Sequence, residues 1–422
     1  MNRIIGFFQH NDFLSCPQNT LTYEFLKEEF NKSGIVHKDI TIYQGLIKYP
    51  RWPKTAPIFR QMRLSHLRQL KKDKKTFFIF DASTEGFSTI YDQPFFDVLY
   101  FNCKEHGVDP ERVIYISSNM LDHDNLKRYN QEHGITRSIK LMCFNNFESM
   151  LFGVQGANLI VDQHGDINEQ ANKRLKASKK GTKSKFKNKL FLSLSRVNRP
   201  HRTLSAWEIF HGDYLFDGLI SHGNFNSKYF SWDGYVSQIP GDHGIEPKHL
   251  RRWNKTVLPL VADTEDFITN HAMFLNTHLH DQTLFQIVNE TFAENWQGTS
   301  QFWSEKTFRS MFHMQPFIIW GQQGANKKLQ EYGYQLFDCF DYSFDDEPDD
   351  YKRWKKIYAE LERVVLQLRN MTWEEQVKWK YAESDKLLNN FKTMLAGKHT
   401  RAQFFDLCKY MRDTADGKTI NS

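Results

Sequence analysis

Short apolar runs set apart by longer stretches of helical spacing constrain this chain most. Ile4-Ile5-Gly6-Phe7-Phe8, Phe77-Phe78-Ile79-Phe80 and Val113-Ile114-Tyr115-Ile116 each read as a strand. Between them, Leu21 to Phe30 and Ile58 to Leu70 carry apolar residues at helical spacing, and Gly107-Val108-Asp109-Pro110 supplies a turn that ends a helix before a strand. Further short strands are expected near Ile139 to Cys143 and Asn158 to Val161. Strands alternating with helices favour a mostly parallel sheet. The chain has 422 residues, more than the ~250–300 at which a single core stops growing, so two α/β domains are expected.

A break in composition marks the expected boundary. Lys173, Arg174, Lys176, Lys179, Lys180, Lys183, Lys185, Lys187 and Lys189 form a basic block without an acid inside it, rich in Ser and Gly and poor in apolar residues. It is predicted to be an exposed linker or loop. Beyond it the alternation restarts with a strand at Leu190 to Leu194, a loop holding Arg196, Arg199, His201 and Arg202, and a helix from Thr203 to Phe210. In the last segment, Trp354, Ile357, Tyr358, Leu361, Val365 and Leu368 recur at helical spacing, and Thr372 with Glu375 forms a capping-box pattern. The predicted organisation is an α/β protein with two Rossmann-like domains, 1–172 and 190–345, joined by a basic linker at 173–189 and followed by a helical tail at 346–422 packing across the domains.

Composition narrows the function classes. No apolar run reaches the ~18–20 residues of a membrane helix, and Ile4 to Phe8 is too short for a secretory leader, so a soluble cytoplasmic protein is expected. The five cysteines, Cys16, Cys103, Cys143, Cys339 and Cys408, have no C-x-x-C spacing and suggest neither a disulfide framework nor a zinc site. Walker, G-x-S-x-G, H-E-x-x-H and G-x-G-x-x-G patterns are all missing. A net charge of +6 suits anionic ligands.

The block from Phe285 to Gly321 carries the chemistry. Phe285 to Thr291 reads as a strand, Ser304-Glu305-Lys306-Thr307-Phe308 as a capped helix start, and Gln315 to Gly321 as a second strand. A helix N-terminus presents free N–H groups and partial positive charge, which suits a diphosphate. Lys306 adds a full charge, and a carboxylate at Glu305 suits ribose hydroxyls. The second candidate group, Arg196, Arg199, His201 and Arg202, follows the first strand of the second domain, where α/β folds bind ligands at strand C-termini. Its guanidinium groups would neutralise a leaving diphosphate without a divalent metal. For a general base, Asp81 and Glu85 follow the strand Phe77 to Phe80; Asp162 with His164, and His10 with Asp12, are rivals.

The order of these parts over Leu190 to Tyr342 resembles the donor-binding region of the α1,3-fucosyltransferase family. There an apolar strand ending in a Glu-Asn pair precedes a Thr-Glu-Lys helix start and a strand with a proline. It is also similar to glycosyltransferase-like proteins of marine bacteria and viruses, which share the Glu-Lys-Thr-Phe stretch and a later one matching Gly333-Tyr334 to Asp341. The resemblance implies a GT-B-like fold and sugar transfer from a nucleotide-diphosphate donor, with Glu305 on the ribose, Lys306 on the phosphates, and Asn289 and Glu290 shaping the nucleotide pocket. Ser304 stands where that family has Thr, and Asn289-Glu290-Thr291 lacks the asparagine after the glutamate, so guanine or fucose specificity is not implied. The expected enzyme is a metal-independent, inverting glycosyltransferase without a cofactor, its acceptor hydroxyl lying on a glycan or a modified nucleic acid. The alternative is a non-catalytic binding or structural protein, viral or otherwise, on a transferase scaffold that binds nucleic acid or protein through the basic block.

Overall fold

The computed structural model describes residues 3–6, 14–15, 26, 40–47, 53–83, 86, 88–89, 94–145, 147–148, 165–185, 189–225, 231–262, 277–294 and 298–418. The chain is α/β, built on two parallel sheets with a helical C-terminal segment. It divides into two compact units. Met1–Ser149, Trp296–Phe302 and Gly397–Ser422 make the first; Met150–Asn295 and Trp303–Ala396 make the second.

In the first unit the strands are β1 (Arg3–Gly6), β2 (Leu14–Ser15), β3 (Thr41–Ile47), β4 (Thr76–Ala82), β5 (Val113–Ser117) and β6 (Lys140–Cys143). Their order is β1-β3-β4-β5-β6, all parallel, with β2 antiparallel on β3. Every residue of β4 and β5 is buried, as unbroken apolar runs require of strands covered on both faces. The expected helix at Ile58 to Leu70 is a 3-10 turn, Ile58–Gln61, followed by α1 (Leu64–Lys72). Helix α2 (Phe95–His106) stops where Gly107 takes φ +61°, a left-handed conformation only glycine adopts readily. Helix α3 (Asp122–Glu132) follows β5.

In the second unit, α4 (Ile167–Lys185) leads to β7 (Lys189–Ser195), α5 (Pro200–His211), β8 (Gly218–His222), α6 (Pro247–Thr256), β9 (Thr283–Asn289), α7 (Glu305–Phe312) and β10 (Phe317–Trp320). The strands lie in the order β10-β9-β7-β8, all parallel. From β7 the chain moves outward to β8; from β9 it moves the other way, to β10. The neighbours β7 and β9 therefore send their connections in opposite directions, which makes their C-terminal ends a topological switch point. The described strands of the first unit follow one direction and form none.

The basic block departs from expectation. It is helical as far as Lys185, not an open linker, and Lys189 begins β7. Ala171, Leu175, Ser178 and Thr182 are buried along one face at helical spacing. That face packs against the later helix Ser384–Ala396 and is also held by polar contacts. Ser178 and Thr182 meet the Tyr381 hydroxyl at 3.0 and 2.8 Å, and Arg174 donates to the Phe312 carbonyl at 3.1 Å and to His313 Nδ1 at 2.8 Å. Here, at the N-terminal edge of β9, the buried Lys380 ammonium donates to the Thr283 carbonyl at 3.0 Å and to Thr182 Oγ1 at 3.2 Å.

The tail is helical, as expected, and its helices belong to different units. Helices α8 (Asp350–Arg369), α9 (Trp373–Ala382) and α10 (Ser384–Ala396) belong to the second unit. Helix α8 buries Trp354, Ile357, Leu361, Val365 and Leu368, and Thr372 and Glu375 form the capping box at the start of α9. Helix α11 (Lys398–Ala415) belongs to the first unit. Its Phe404, Leu407, Cys408 and Met411 pack in one core with Ile42, Phe77, Ile79, Ile114, Ile116, Met142 and Phe144.

Candidate functional site

At the switch point, strand β9 ends on Asn289 and Glu290. Asn289 Nδ2 donates to Ser193 Oγ of β7 at 2.8 Å, and the Glu290 amide donates to the Trp320 carbonyl of β10 at 3.1 Å. On the β7 side, Pro200 stands in the first turn of α5, where its lack of an N–H costs nothing. That turn aims His201 and Arg202 at the end of β9. The Glu290 carbonyl accepts from His201 Nε2 at 2.9 Å and from Arg202 Nη2 and Nε at 2.8 and 3.1 Å. Burial, with Arg199 adding to it and three glutamates opposing, lowers Arg202 to about 10, so it stays charged at neutral pH.

The Glu290 carboxylate is wholly buried and committed inside the protein. Oε1 accepts from the Ser304 amide at 3.0 Å and from Thr307 Oγ1 at 2.6 Å; Oε2 accepts from the Thr291 amide at 2.9 Å. Ser304 caps α7, as its position predicts, by accepting from the Lys306 amide. The helix start expected to offer a diphosphate its free N–H groups is therefore partly filled by the protein's own carboxylate and cap. Glu290 frames the site from behind.

Glu305 and Lys306 stand at the opening of this frame. Their side chains are 18% and 22% exposed and paired at 2.9 Å, and Lys306 Nζ also reaches Ser304 Oγ at 3.1 Å. Burial favours the neutral acid in Glu305, but the Lys306 ammonium, a backbone N–H and Arg309 together outweigh it and hold the carboxyl below its ordinary range. Arg202 feels Arg199, Glu290, Glu305 and Glu294 together, so cations and carboxylates alternate across the switch point. The Arg199 guanidinium lies 5.1 Å from the Phe292 ring centroid. Arg196 follows β7 directly, and its carbonyl is pressed against Gly223 after β8, where a Cβ would lie 2.1 Å from that oxygen.

Glu294 escaped the sequence reading because nothing in its neighbourhood repeats or matches a motif. Its Oε1 lies 3.9 Å from His201 Nδ1. Burial lowers His201 and keeps the ring neutral; with Nε2–H given to the Glu290 carbonyl, Nδ1 is an acceptor facing a carboxylate. Ser195 Oγ, Asn198 Oδ1, Asn224 Oδ1 and Asn289 Oδ1 are also buried without a hydrogen-bond partner at the ends of β7, β8 and β9. Most buried polar atoms are paired, so this concentration is a feature of the site.

In the first unit Asp81 is 1% exposed; Oδ2 accepts from Gln44 Nε2 at 2.9 Å and Oδ1 from the Ser83 amide at 3.0 Å. It secures the end of β4. Glu85, Asp162, His164, His10 and Asp12 lie outside the described residues. Asp122, which the sequence reading passed over, is fully buried and accepts from Ser117, Thr89, Asn119 and Asn125. Burial, opposed by these donors, raises it to about 7. Asn119 and Asn125 also donate to the Thr299 carbonyl at 2.8 and 2.7 Å, which fastens the segment Trp296–Phe302 within this unit. The polar run Ser117-Ser118-Asn119 after a strand was the available signal.

Among the described residues, no group of three or more His, Cys, Asp or Glu is placed to hold a metal ion, and no helix is long and apolar enough to cross a membrane. No protein-family model matches the chain, and no curated protein matches it. Among solved structures, the chain is similar to an α,α-trehalose-phosphate synthase (UDP-forming) from Burkholderia vietnamiensis, at 11% identity and a TM-score of 0.41, over 90% of this chain and 76% of that one.

Proposed function

We propose that the chain is a glycosyltransferase of GT-B type that takes its sugar from a nucleotide-diphosphate donor held at the β7/β9 switch point. One observation supports the reading: Arg199, Glu294 and Glu305 all act on Arg202 at the β7/β9 switch point, Lys306 is paired with Glu305, and unpartnered Ser195 and Asn289 atoms end the same two strands, where a parallel sheet of this order binds ligands. Lys306, Arg196 and Arg199 neutralise the diphosphate, Glu305 takes ribose hydroxyls, and Arg202 and Glu290 keep the frame rigid. A donor hydroxyl beside the Glu294 carboxylate could donate its one hydrogen to either Glu294 Oε1 or His201 Nδ1, which lie 3.9 Å apart.

In an inverting transfer, the acceptor oxygen bonds to the anomeric carbon as the bond to the phosphate oxygen breaks. The acceptor's proton passes to a carboxylate, and the diphosphate leaves with its electron pair onto the cations. Both oxygens of Asp81 already accept hydrogen bonds, which favours Glu85 as the base. Fixed cations serve the leaving group, so the reading is metal-independent and needs no cofactor.

Thermal denaturation against a panel of nucleoside diphosphates and nucleotide sugars tests the site. A donor at a hundred times its Kd should stabilise the protein by about 2.7 kcal/mol. Arg199→Ala, at a partly exposed position, should remove that stabilisation with the unliganded midpoint nearly unchanged, and Lys306→Met should remove it when each shift is read against the variant's own unliganded midpoint, which falls because Glu305 loses its cation. Arg202→Ala is a poor probe, since it strips donors from a buried carbonyl. A flat response across the whole panel, or full stabilisation in both variants, would overturn the assignment.

A further inference from the structure

The basic block, once folded, is not spent on the second unit's core. Within α4, Lys173, Lys176, Lys180 and Lys183 are all exposed, while Ala171, Leu175, Ser178 and Thr182 are buried. At about 100° per residue the four lysines fall within an arc of about 80°, opposite the buried face, and extend over about 15 Å of helix. None of the four takes part in an ion pair among the described residues, although nineteen such contacts join other side chains. Arg174 and Lys179 are used otherwise: Arg174 is tied to Phe312 and His313, and Lys179 lies over the Tyr381 ring. Glu169, one turn before Lys173, bounds the stripe at its N-terminal end.

Like charges at i,i+3 and i,i+4 repel and weaken a helix, so an unpaired stripe of four is unfavourable unless a polyanion meets it. We infer that the lysine face of α4 binds the phosphate backbone of a double-stranded nucleic acid, independently of base sequence and of the proposed donor site. A lipid surface fits less well: Ile167 is the only large apolar side chain exposed on the helix, and anchoring at a bilayer uses a broad apolar face. Unpaired strands fit less well too, because no exposed aromatic side chain stands on α4 to stack a base. A duplex carries one phosphate per ~3.4 Å of its axis on each strand, so about 15 Å of axis brings four to five phosphates of each strand within the span of four ammonium groups on a rigid helix.

The test is titration of a labelled random-sequence DNA duplex with the full chain at several salt concentrations. Four phosphate contacts predict a log–log slope near −3.6, an affinity loss of about 150-fold between 50 and 200 mM salt. The variant K173Q/K176Q/K180Q/K183Q should lose at least tenfold in affinity at low salt and most of the slope, with unchanged far-ultraviolet dichroism and a thermal midpoint no lower than the parent's. A control replacing four exposed lysines of the first unit, K71Q/K72Q/K74Q/K104Q, carries the same net-charge change and should bind as the parent does. Absence of duplex binding at 50 mM salt, retention of it in the α4 variant, or an equal loss in the control would overturn the inference. So would binding to vesicles of anionic lipid with none to duplex. Response to nucleoside diphosphates is read separately and should be the same in the α4 variant as in the parent.

Discussion

Glu290 and Lys380 are the two residues whose burial says most about the second unit, and they sit at opposite ends of β9. Glu290 turns a strand end into a hub, its carbonyl gathering His201 and Arg202 while its carboxylate gathers Ser304, Thr307 and Thr291. At the other end, burial lowers the Lys380 ammonium to about 7, against the pull of Asp281 and with Arg174 adding to the shift. The unfolded chain keeps that proton up to about 10.4. Between these values the unfolded state binds more protons, so the group's contribution to stability rises with pH from about 7 to 10 and is lost as pH falls to 7. Urea denaturation at half-unit steps from pH 7 to 9.5 should show a positive slope of up to ~1.4 kcal/mol per pH unit that Lys380→Met flattens. An identical slope in the variant would place the titration elsewhere.

At the scale of elements, the connections after β7 and β8 decide whether a site exists. They approach so closely at Gly223 that a methyl group would collide with the Arg196 carbonyl, a backbone atom that cannot swing aside. Gly223→Ala should destabilise the protein by ~1–3 kcal/mol, in the range of overpacking, and weaken any nucleotide-induced stabilisation by displacing Arg196. Thermal denaturation with and without ligand reads both; an unchanged midpoint would mean that the loops have room. Strand positions were legible, since Phe77 to Phe80, Val113 to Ile116 and Leu190 to Leu194 fall inside observed strands, and the strand expected at Phe285 to Thr291 overlaps β9, which ends at Asn289. Strand β3 was not, because Gln44 and Gly45 interrupt its apolar pattern, nor was β8, which begins on Gly218 and ends on His222. Helix α4 was hidden for another reason: its buried face is largely small and polar, and what covers it comes from α7, α9 and α10.

For the whole molecule, connectivity matters as much as sheet order. After β9 the chain contributes Trp296–Phe302 to the first unit before returning to form α7, and its last helix, α11, completes the first unit's core. Removing residues 397–422 withdraws Phe404, Leu407, Cys408 and Met411, on the order of 6–10 kcal/mol of apolar burial, comparable with a domain's entire stability. Hydrogen exchange on the truncated chain should show protection lost in β4 and β5 and kept in β7 and β9. Loss in all four would mean that the two units unfold as one.

The amino-acid sequence by itself determined the α/β class, the position of most strands, and the caps at Ser304 and Thr372. These follow from periodicity and local hydrogen bonding, which act over a few residues. Only the tertiary structure decided that β7 and β9 are neighbours with opposite connections, that Glu290 is withdrawn behind the site while Glu294 joins it, and that the basic block is a helix with one face buried and one bare. Those outcomes depend on contacts beyond one element, from 14 positions apart for Ser304 with Glu290 to 96 for Asn289 with Ser193 and 199 for Thr182 with Tyr381. No local pattern of residues encodes such pairings.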